Sequence, residues 1–496
     1  MGRNKYAHQF LRRLGVKEKI EAVLSLLEKI GVDYADIRVH DIREESFSTE
    51  DCRLLEMTAK RARGYGIRVF LEGSPGFAAS QDFEKMELTA RQALEIARAG
   101  RLARQQPVKL APRPAAIDSY RTPIEIDPFA VSKGEKIDLL LAAEAEMRRE
   151  EPGLFKTSGT LDFRCEEKVF TDTEGSYILQ KLYQSGGGIK AFAAGEGDRQ
   201  VRSYPASFKG NFATAGYEFI KEMALVENGA RIAREAVSLL GAEECPSGVF
   251  DLVIDSSQMM LQIHESVGHA IELDRVLGFE AGYAGTSFLK PGMEGFQYGS
   301  EHVNIVADAT TPGGLGTFGY DDEGVPAQCI PIVTKGRFEN FINCRDSAAR
   351  LDGLSSGAAR ADGWNRIPIV RMTNINLLPG EMELEELFAG IEYGFYLCTN
   401  KSWSIDDKRL NFQFACEIAH EIRDGRLTGR VFKNPIYTGI TPQFWGSCDG
   451  VAGEKYWQVY GTPNCGKGEP MQIGRVAHGC SPARFRNVKV GVADVV

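Results

Sequence analysis

The chain has 496 residues, of which 43% are hydrophobic and 26% charged, with a formal net charge of -9 and a pI of about 5.6. This length exceeds the roughly 250 to 300 residues at which a single hydrophobic core stops growing, so we expect at least two domains. The acidic balance argues against nucleic acid as the main partner, because phosphate binding requires a concentrated basic surface. No run approaches the ~20 apolar residues of a membrane span, so we expect no membrane segment.

Cysteine usage bears on the cellular compartment. The ten cysteines are scattered with no CxxC pair, which is typical of reduced thiols rather than of a disulfide framework. The first residues, MGRNKYAHQFLRRLG, include basic residues but lack the apolar segment of a secretory signal. We therefore expect a cytoplasmic protein.

The first half of the chain alternates helical and strand-like patterns. Apolar residues recur at helical spacing in four segments, and strands are indicated by alternating or short apolar runs. The predicted helices cover 16–30, 84–99, 132–150 and 216–240, and the predicted strands cover 35–39 and 64–71. The residues from Lys156 to about Phe208 form short β-like runs separated by turns, which predicts an antiparallel meander.

Two breaks divide the chain. Five prolines fall within 105–130, where missing N–H donors and fixed φ angles prevent regular structure, so we predict a long surface connection. We place the domain boundary at Cys245-Pro246-Ser247-Gly248, between an N-terminal α/β domain over 1–244 and a second domain over 245–496. The second domain opens with an apolar strand, Val249–Ile254, and is then mainly strands and loops. It also contains a predicted helix over 384–391 and a hairpin turn at Asp424-Gly425.

One segment of the second half concentrates chemically useful side chains. Residues 263–274 read IHESVGHAIELD, so that two of the seven histidines, His264 and His269, bracket Glu265. Imidazoles are common zinc ligands, and a glutamate beside a ligand can take the proton of a metal-activated water. The alternative is a buried helix whose histidines are satisfied within the core. The clustering around a glutamate favours a metal site with Glu265 as the general base.

The spacing of the two histidines departs from the HExxH motif of zinc proteases. In that motif the histidines lie at i and i+4, about 40° apart around a helix, whereas here they lie at i and i+5, about 140° apart in an ideal α-helix. A π-bulge would bring both imidazoles to one face, and Gly268 tolerates irregular backbone. We therefore predict a distorted or π-bulged helix at Ser266 to His269.

A catalytic zinc ion requires a third protein ligand, and the motif supplies only two. Spacing alone leaves several candidates open. His420 falls on the same face of its predicted strand as apolar neighbours and is interpreted as a core residue. Cys465 lies in a glycine-rich loop, which allows its side chain to approach a site closely. The candidates are Glu272, Asp274, His302, His420, Cys465, His478 and Cys480.

Two glycine motifs point to other chemistries but lack the necessary context. Gly314, Gly316 and Gly319 match GxGxxG, yet the acidic turn 320–324 follows them instead of a helix, so no dinucleotide site is predicted. The GxSxG match at 353–357 has no strand before it and no helix after it, which argues against a serine hydrolase. Four arginines in this region are interpreted as a solvated surface: Arg345, Arg350, Arg360 and Arg366.

An ordered series of motifs covers most of the chain. It comprises Gly64-Tyr65-Gly66-Ile67-Arg68, the HExxxH core with Glu272, Asp321-Asp322-Glu323-Gly324, the region from Ser356-Gly357 to Arg371-Met372-Thr373-Asn374, Lys433-Asn434-Pro435 and Cys465-Gly466-Lys467-Gly468. HExxxH alone is short enough to arise by chance, but the series is much more specific. The chain resembles the TldD/PmbA family of metallopeptidases, in particular its TldD-like branch, which bears HExxxH.

The resemblance implies a fold, a metal and partners. The expected fold is α+β, with an N-terminal α/β domain built on a curved antiparallel sheet with flanking helices and a C-terminal β-rich domain carrying the metal-site helix. Carried onto this chain, the family's zinc ligands are His264, His269 and Cys465, and Glu265 is the catalytic base. The family also implies a dimer enclosing a cavity, either a homodimer or a heterodimer with a PmbA-like (TldE-like) chain that lacks HExxxH.

The leading hypothesis is a zinc-dependent peptidase that cleaves flexible or unfolded peptides. We expect an extended substrate beside an exposed strand of the C-terminal domain, with the glycine-rich segment 316–324 as one wall of its groove. One alternative is a non-catalytic metal-binding partner or peptide-binding subunit of the same type of complex. Another is metal-dependent amide hydrolysis of a small modified metabolite.

Overall fold

The structure, a computed structural model, describes residues 15–103 and 106–491. The interpretation of residues 1–14 as lacking a signal segment lies outside these ranges, and so does Gln105 at the start of the predicted connection. Among the described residues, no helix combines the length and the apolar character needed to cross a membrane.

The N-terminal half contains an eight-stranded sheet. In chain order its strands are β1 (Tyr34–Glu50), β2 (Arg53–Leu71), β3 (Ser74–Ser80), β4 (Ile117–Arg121), β5 (Lys156–Asp172), β6 (Tyr177–Gly195), β7 (Asp198–Tyr204) and β8 (Asn211–Ala213). Their spatial order is β3-β2-β1-β5-β6-β4, and β7 and β8 also pair with β6. The antiparallel meander β5-β6-β7 is confirmed, but β5 and β6 have 17 and 19 residues and are not short. The predicted proline-rich connection is wrong in one respect, because β4 lies within it and pairs in parallel with β6.

Helices cover one face of this sheet. They are α1 (Lys17–Ile30), α2 (Met86–Ala103), α3 (Lys133–Glu150), α4 (Glu218–Glu222) and α5 (Leu225–Gly241), with a 3-10 turn at Phe83–Lys85 before α2. Ala35, Ile37, Val39 and Phe47 of β1 all contact helix cores. Successive strand residues point to opposite faces, so these odd-numbered positions define the helix-covered face.

The single helix predicted over 216–240 is wrong. Ala224, with a φ of 47°, separates α4 from α5. A straight helix would place Leu225 roughly 140° around the axis from Ile220. Both side chains are buried in the same core cluster, and the break allows this.

The C-terminal half is rich in short strands. In chain order they are β9 (Glu243–Glu244), β10 (Gly248–Ile254), β11 (Ile305–Asp308), β12 (Cys329–Thr334), β13 (Arg337–Phe338), β14 (Ala359–Arg360), β15 (Ile369–Val370), β16 (Ile375–Leu377), β17 (Tyr393–Ile405), β18 (Asn411–Arg423), β19 (Arg426–Lys433), β20 (Ile436–Ile440), β21 (Cys448–Val451), β22 (Gln458–Lys467), β23 (Gln472–Cys480) and β24 (Ala483–Val490). Five of them pair in a closed ring, β10-β17-β18-β20-β24. The other sheets are β13-β12-β11-β16, β14-β15 and the hairpin β22-β23.

Short helices connect these strands. They are α6 (Ser256–Ile263), α7 (Leu273–Val276), α8 (Arg345–Ala349), α9 (Leu384–Ala389) and α10 (Thr441–Gly446), with a π-helix at His264–Gly268 and a 3-10 turn at Glu454–Tyr456. The predicted strand β10, helix α9 and turn at Asp424-Gly425 are confirmed, and both turn residues have positive φ. The α+β class with a β-rich C-terminal half is therefore confirmed.

The second face of the N-terminal sheet packs against the C-terminal half through buried charges. Arg68 donates to Asp36 and to Glu323, each at 2.7 Å. Lys168 on β5 pairs with Asp322 at 2.8 Å. Because the acidic turn that follows the GxGxxG match supplies Asp322 and Glu323, this turn joins the two halves.

The interpretation of the four arginines as a solvated surface is wrong for Arg345. Its side chain is 1% exposed, and it donates to the carbonyl of Ala111 at 2.7 Å and to Glu174 at 2.8 Å. Arg350 is exposed, while Arg360 and Arg366 are half-buried. Arg345 therefore belongs to the contact between the two halves.

Candidate metal centre

Strand β10 delivers the chain directly into the histidine motif. Asp255 caps α6 by accepting a hydrogen bond from the backbone N–H of Ser257 at 2.9 Å. The helix then widens into a π-helix over His264–Gly268, and the N–H of His269 donates to the carbonyl of His264 at 3.2 Å. The predicted π geometry is confirmed, although it begins two residues earlier than expected. The two imidazole ring centroids lie 4.9 Å apart.

Gly268 allows Met372 to pack closely against the π-helix. A Cβ atom there would lie 2.2 Å from Sδ of Met372 and 3.1 Å from its Cε. The glycine therefore lets the segment around Met372 approach the motif closely, and its φ is not in the left-handed region.

Three potential metal ligands converge. One donor atom each of His264, His269 and Cys465 lies within 4.8 Å of the other two, and all three side chains are buried. Cys465 comes from β22, where a register irregularity between Thr462 and Cys465 interrupts the pairing with β23. The structure thus brings together the three residues that the family resemblance implies.

A hydrogen-bond chain fixes the proton on His264. The carbonyl of Ile375 can only accept, so Nδ1 of His478, at 3.0 Å, carries a proton and donates. Nε2 of His478 is then an acceptor, and Nδ1 of His264 donates to it at 2.8 Å. This arrangement leaves the Nε2 lone pair of His264 free for a metal.

His269 is oriented in the same way by a carboxylate. Its Nδ1 lies 2.9 Å from Oε2 of Glu272, so Nδ1 donates and the Nε2 lone pair is free. Behind Glu272 lies the fully buried Lys467, whose ammonium is 3.5 Å from that carboxylate and 2.6 Å from Asp274.

The local electrostatics favour the protonation states in which the three side chains can bind a metal, namely neutral imidazoles and a thiolate. Burial lowers the pKa of His264 and lowers that of His269 well below the ordinary value, so both imidazoles are neutral. Burial works against a charged thiolate at Cys465, but the positive charge of Arg371 opposes this effect, and the pKa of Cys465 lies below its ordinary value. Arg371 also donates to the backbone carbonyl of Cys465 at 2.5 Å.

The donor types fit zinc, and so does the one nitrogen–sulfur separation between His269 and Cys465. Zinc takes imidazole nitrogen and thiolate ligands, and three such protein ligands would leave the fourth position that a catalytic site needs. Tetrahedral bond angles with Zn–N and Zn–S bonds of about 2.05 and 2.3 Å require a nitrogen–sulfur separation of about 3.5 Å. Nε2 of His269 and Sγ of Cys465 are 3.6 Å apart.

Glu265 follows His264 in the π-helix and has one strong partner. Its Oε2 accepts a hydrogen bond from Nη1 of Arg409 at 2.7 Å, and its side chain is 7% exposed. Arg409 comes from the turn between β17 and β18, which is 144 residues away in sequence.

The remaining third-ligand candidates have other partners or positions. Asp274 accepts from Lys467, and the thiol of Cys480 donates to the carbonyl of Ser256 at 3.4 Å. His302 is exposed, and His420 is half-buried beside Tyr396, with ring centroids 6.1 Å apart.

Sequence reasoning left His478 unassigned and missed Arg409. His478 lies on β23, opposite Tyr460 of the strand that carries Cys465, so strand pairing with β22 was the available signal. Arg409 follows Asp406-Asp407-Lys408, a polar turn with no motif, and only the folded structure brings it to Glu265.

Family models match the chain in three consecutive parts. They are described as PmbA/TldA metallopeptidase domain 1, over residues 35–97, its central domain, over 126–241, and its C-terminal domain, over 247–492.

Similar proteins extend over nearly the whole chain. A metalloprotease of Methanocaldococcus jannaschii is 31% identical over 85% of this chain and 89% of that protein. A metalloprotease of Methanothermobacter thermautotrophicus is 31% identical over 93% of this chain and 96% of its own length. The crystal structure of TldE from Thermococcus kodakarensis shares the fold, with a TM-score of 0.72 at 16% identity over 95% of this chain and 100% of that one. The chain therefore belongs to the PmbA/TldD family of metallopeptidases.

Proposed function

We propose that this chain is a zinc-dependent peptidase of the TldD-like, HExxxH-bearing branch, which cleaves flexible or unfolded peptides. One observation carries the proposal: one ligand atom each of His264, His269 and Cys465 converges in a buried cluster, and Glu265 follows His264 in the same π-helix. The metalloprotease relatives support a metal-dependent peptidase, and the donor set supports zinc.

The roles follow from the chemistry of the side chains. His264, His269 and Cys465 hold the zinc, which when bound supplies a Lewis acid that polarises the scissile carbonyl and acidifies water. Glu265 takes a proton from the attacking water and later gives it to the leaving amine. His478 and Glu272 hold the two imidazoles in the tautomer that leaves Nε2 free.

Substrate and partner are part of the same proposal. An extended peptide would pair with an exposed strand of the C-terminal half, because backbone pairing gives affinity with little side-chain selectivity. The segment 316–324 contributes one wall of this groove. The chain acts as a homodimer or as a heterodimer with a TldE-like chain. Its ten unpaired thiols support a reducing, cytoplasmic location.

Substituting Glu265 tests the proposal. The Glu265→Gln variant keeps all three ligands and removes the base, so peptide hydrolysis should fall by roughly 10²- to 10⁴-fold. The measurement is cleavage of a library of quenched fluorogenic peptides, together with the zinc content of each protein. Glu301→Gln changes an exposed glutamate and is the matched control.

Three outcomes separate the proposal from its rivals. Hydrolysis that survives Glu265→Gln would show that the assigned mechanism is wrong. A wild-type chain that binds zinc but cleaves no peptide, alone or with a TldE-like partner, would indicate a non-catalytic subunit. Hydrolysis of small amides without any peptide cleavage would indicate a metabolite amidase.

A further inference from the structure

The turn that carries Arg409 is held rigidly. The N–H of Arg409 donates to the carbonyl of Asp406 at 2.9 Å, and its own carbonyl accepts from Oγ1 of Thr441 at 2.8 Å. The carbonyl of the preceding Lys408 accepts from the N–H of Phe288 at 2.8 Å. Arg409 itself has a φ of 61°, a conformation that costs energy for a residue with a side chain. The backbone of Arg409 is therefore held by hydrogen bonds before any ligand arrives, and its guanidinium is held by Glu265.

The guanidinium has more donors than partners. Arginine carries five N–H groups, and Arg409 uses Nη1 for Glu265. Its Nε is buried and has no hydrogen-bond partner among the described residues. A buried donor without a partner is unfavourable and readily accepts a ligand oxygen as its acceptor. A cation with spare donors thus contacts the candidate base, and its charge also acts on both histidines of the ligand cluster.

We propose that Arg409 is a catalytic residue, which donates hydrogen bonds to the oxyanion that forms from the scissile carbonyl. This inference rests on the peptidase function proposed above. Arg409 would be the charged hydrogen-bond donor that acts on the oxyanion together with the metal. Such a donor lowers the reaction barrier because it stabilises the negative charge that develops on the carbonyl oxygen.

The movement of charge during the reaction explains why this position is suitable. An O–H bond of water breaks and its proton goes to Glu265, while the oxygen forms a bond to the carbonyl carbon and the C=O π pair moves to the carbonyl oxygen. Negative charge therefore leaves the Glu265 carboxylate and appears on the oxyanion. Arg409 pairs with the carboxylate before the step and with the oxyanion after it. Its interaction with the carbonyl oxygen therefore strengthens as negative charge develops there in the transition state. Collapse then breaks the C–N bond, and Glu265 returns the proton to the amine.

The test compares Arg409→Gln with Arg409→Lys in the full-length, zinc-loaded chain. We expect Arg409→Gln to lower kcat by roughly 10²- to 10³-fold, with KM for a quenched fluorogenic peptide changed only a few-fold. Arg409→Lys, which keeps the charge and loses the planar fork, should be intermediate. Lys408→Ala, an exposed change in the same turn, is the matched control and should match wild type.

A binding measurement that does not depend on turnover distinguishes hydrogen-bond donation to the oxyanion from positioning of Glu265. A phosphinic peptide, whose tetrahedral phosphorus bears two oxygens, imitates the intermediate, and its affinity is measured by calorimetry. We expect Arg409→Gln to weaken its binding by about the same factor as it lowers kcat/KM, with unchanged zinc content. Unchanged phosphinic-peptide affinity would overturn the proposal and leave Arg409 as a group that positions Glu265.

The failure of this inference is distinguishable from failure of the proposed function. Cleavage by the wild-type chain and its loss in Glu265→Gln decide the function without any Arg409 variant. If that cleavage occurs and Arg409→Gln retains full kcat, only the role of Arg409 is wrong.

Discussion

Cys465 differs electrostatically from the other nine cysteines. Burial raises the pKa of each of the other nine thiols, whereas the charge of Arg371 opposes burial at Cys465, whose pKa lies below its ordinary value. Composition and spacing cannot distinguish these thiols, because the difference arises from side chains that only folding brings together. The family resemblance, and not the local pattern, singled out Cys465.

Replacing Cys465 should therefore affect zinc binding selectively. Cys465→Ala removes a proposed ligand, so zinc affinity should fall by more than the roughly 10- to 100-fold cost of losing an outer hydrogen-bond partner. Cys480→Ala, also a buried thiol on the same hairpin, is the control and should retain wild-type affinity. Competition with a chromogenic chelator measures both. Equal affinities in the two variants would contradict the ligand assignment.

At the scale of elements, the β22-β23 hairpin is tied to the motif by a buried lysine. Nζ of Lys467 lies 2.6 Å from Asp274, 3.2 Å from Glu280 and 3.5 Å from Glu272, and it donates to the carbonyl of Val370 at 2.7 Å. The lysine neutralises carboxylates that would otherwise repel one another, one of which orients His269.

Removing this charge should destabilise the protein. Lys467→Met leaves buried carboxylates without their main cation, so the free energy of unfolding should fall by about 3 to 5 kcal/mol. Denaturant titration by circular dichroism measures the change. Lys290→Met, on an exposed lysine, should leave stability near the wild-type value. A Lys467→Met protein as stable as this control would show that the ion cluster does not stabilise the fold.

Element types were predictable from sequence where one periodicity dominates. Helix α1 and strand β10 follow from their apolar spacing, and the π geometry follows from the five-residue separation of the histidines. The break at Ala224 was not predictable, because it depends on which core each apolar residue enters. The full lengths of β1 and β2 were also missed, since the outer part of β1 is mostly polar and that of β2 is exposed, and strand pairing supports both.

For the whole molecule, the main surprise is the second face of the N-terminal sheet. Asp36, Arg38 and His40 alternate with apolar residues on β1, a pattern that normally indicates a solvated face. In the structure these side chains are at most 1% exposed, because the C-terminal half covers them. A single sequence does not reveal this contact, since charged groups paired across it resemble ordinary surface charges.

The burial of His40 gives the molecule a predictable response to acid. Burial lowers its pKa below 6.5, although the hydrogen bond to Glu166 acts in the opposite direction. The folded chain thus keeps His40 neutral, while the unfolded chain protonates it as the pH falls below about 6.5. Stability from this residue is present above that pH and is lost on acidification, by at most about 1.4 kcal/mol per pH unit.

Unfolding of the zinc-free chain in denaturant at pH 7.5, 6.5 and 5.5 checks this response. His40→Gln should lose less stability than wild type between pH 6.5 and 5.5. His302→Gln, at an exposed histidine, should lose as much as wild type. A wild-type chain whose stability rises on acidification over this range would contradict the prediction.

The π-helix has a consequence for how such sites are related. A π-helix is an α-helix that has absorbed one inserted residue, and the widened turn confines the disturbance to a single turn. Deleting one residue from Ser266–Gly268 would turn HExxxH into HExxH, and relaxation to an α-helix would keep both imidazoles on one face. The two motifs are thus two sequence forms of one ligand geometry. Insertion or deletion of a single codon converts one into the other. A search restricted to one spacing would overlook sequences that build the same geometry with the other.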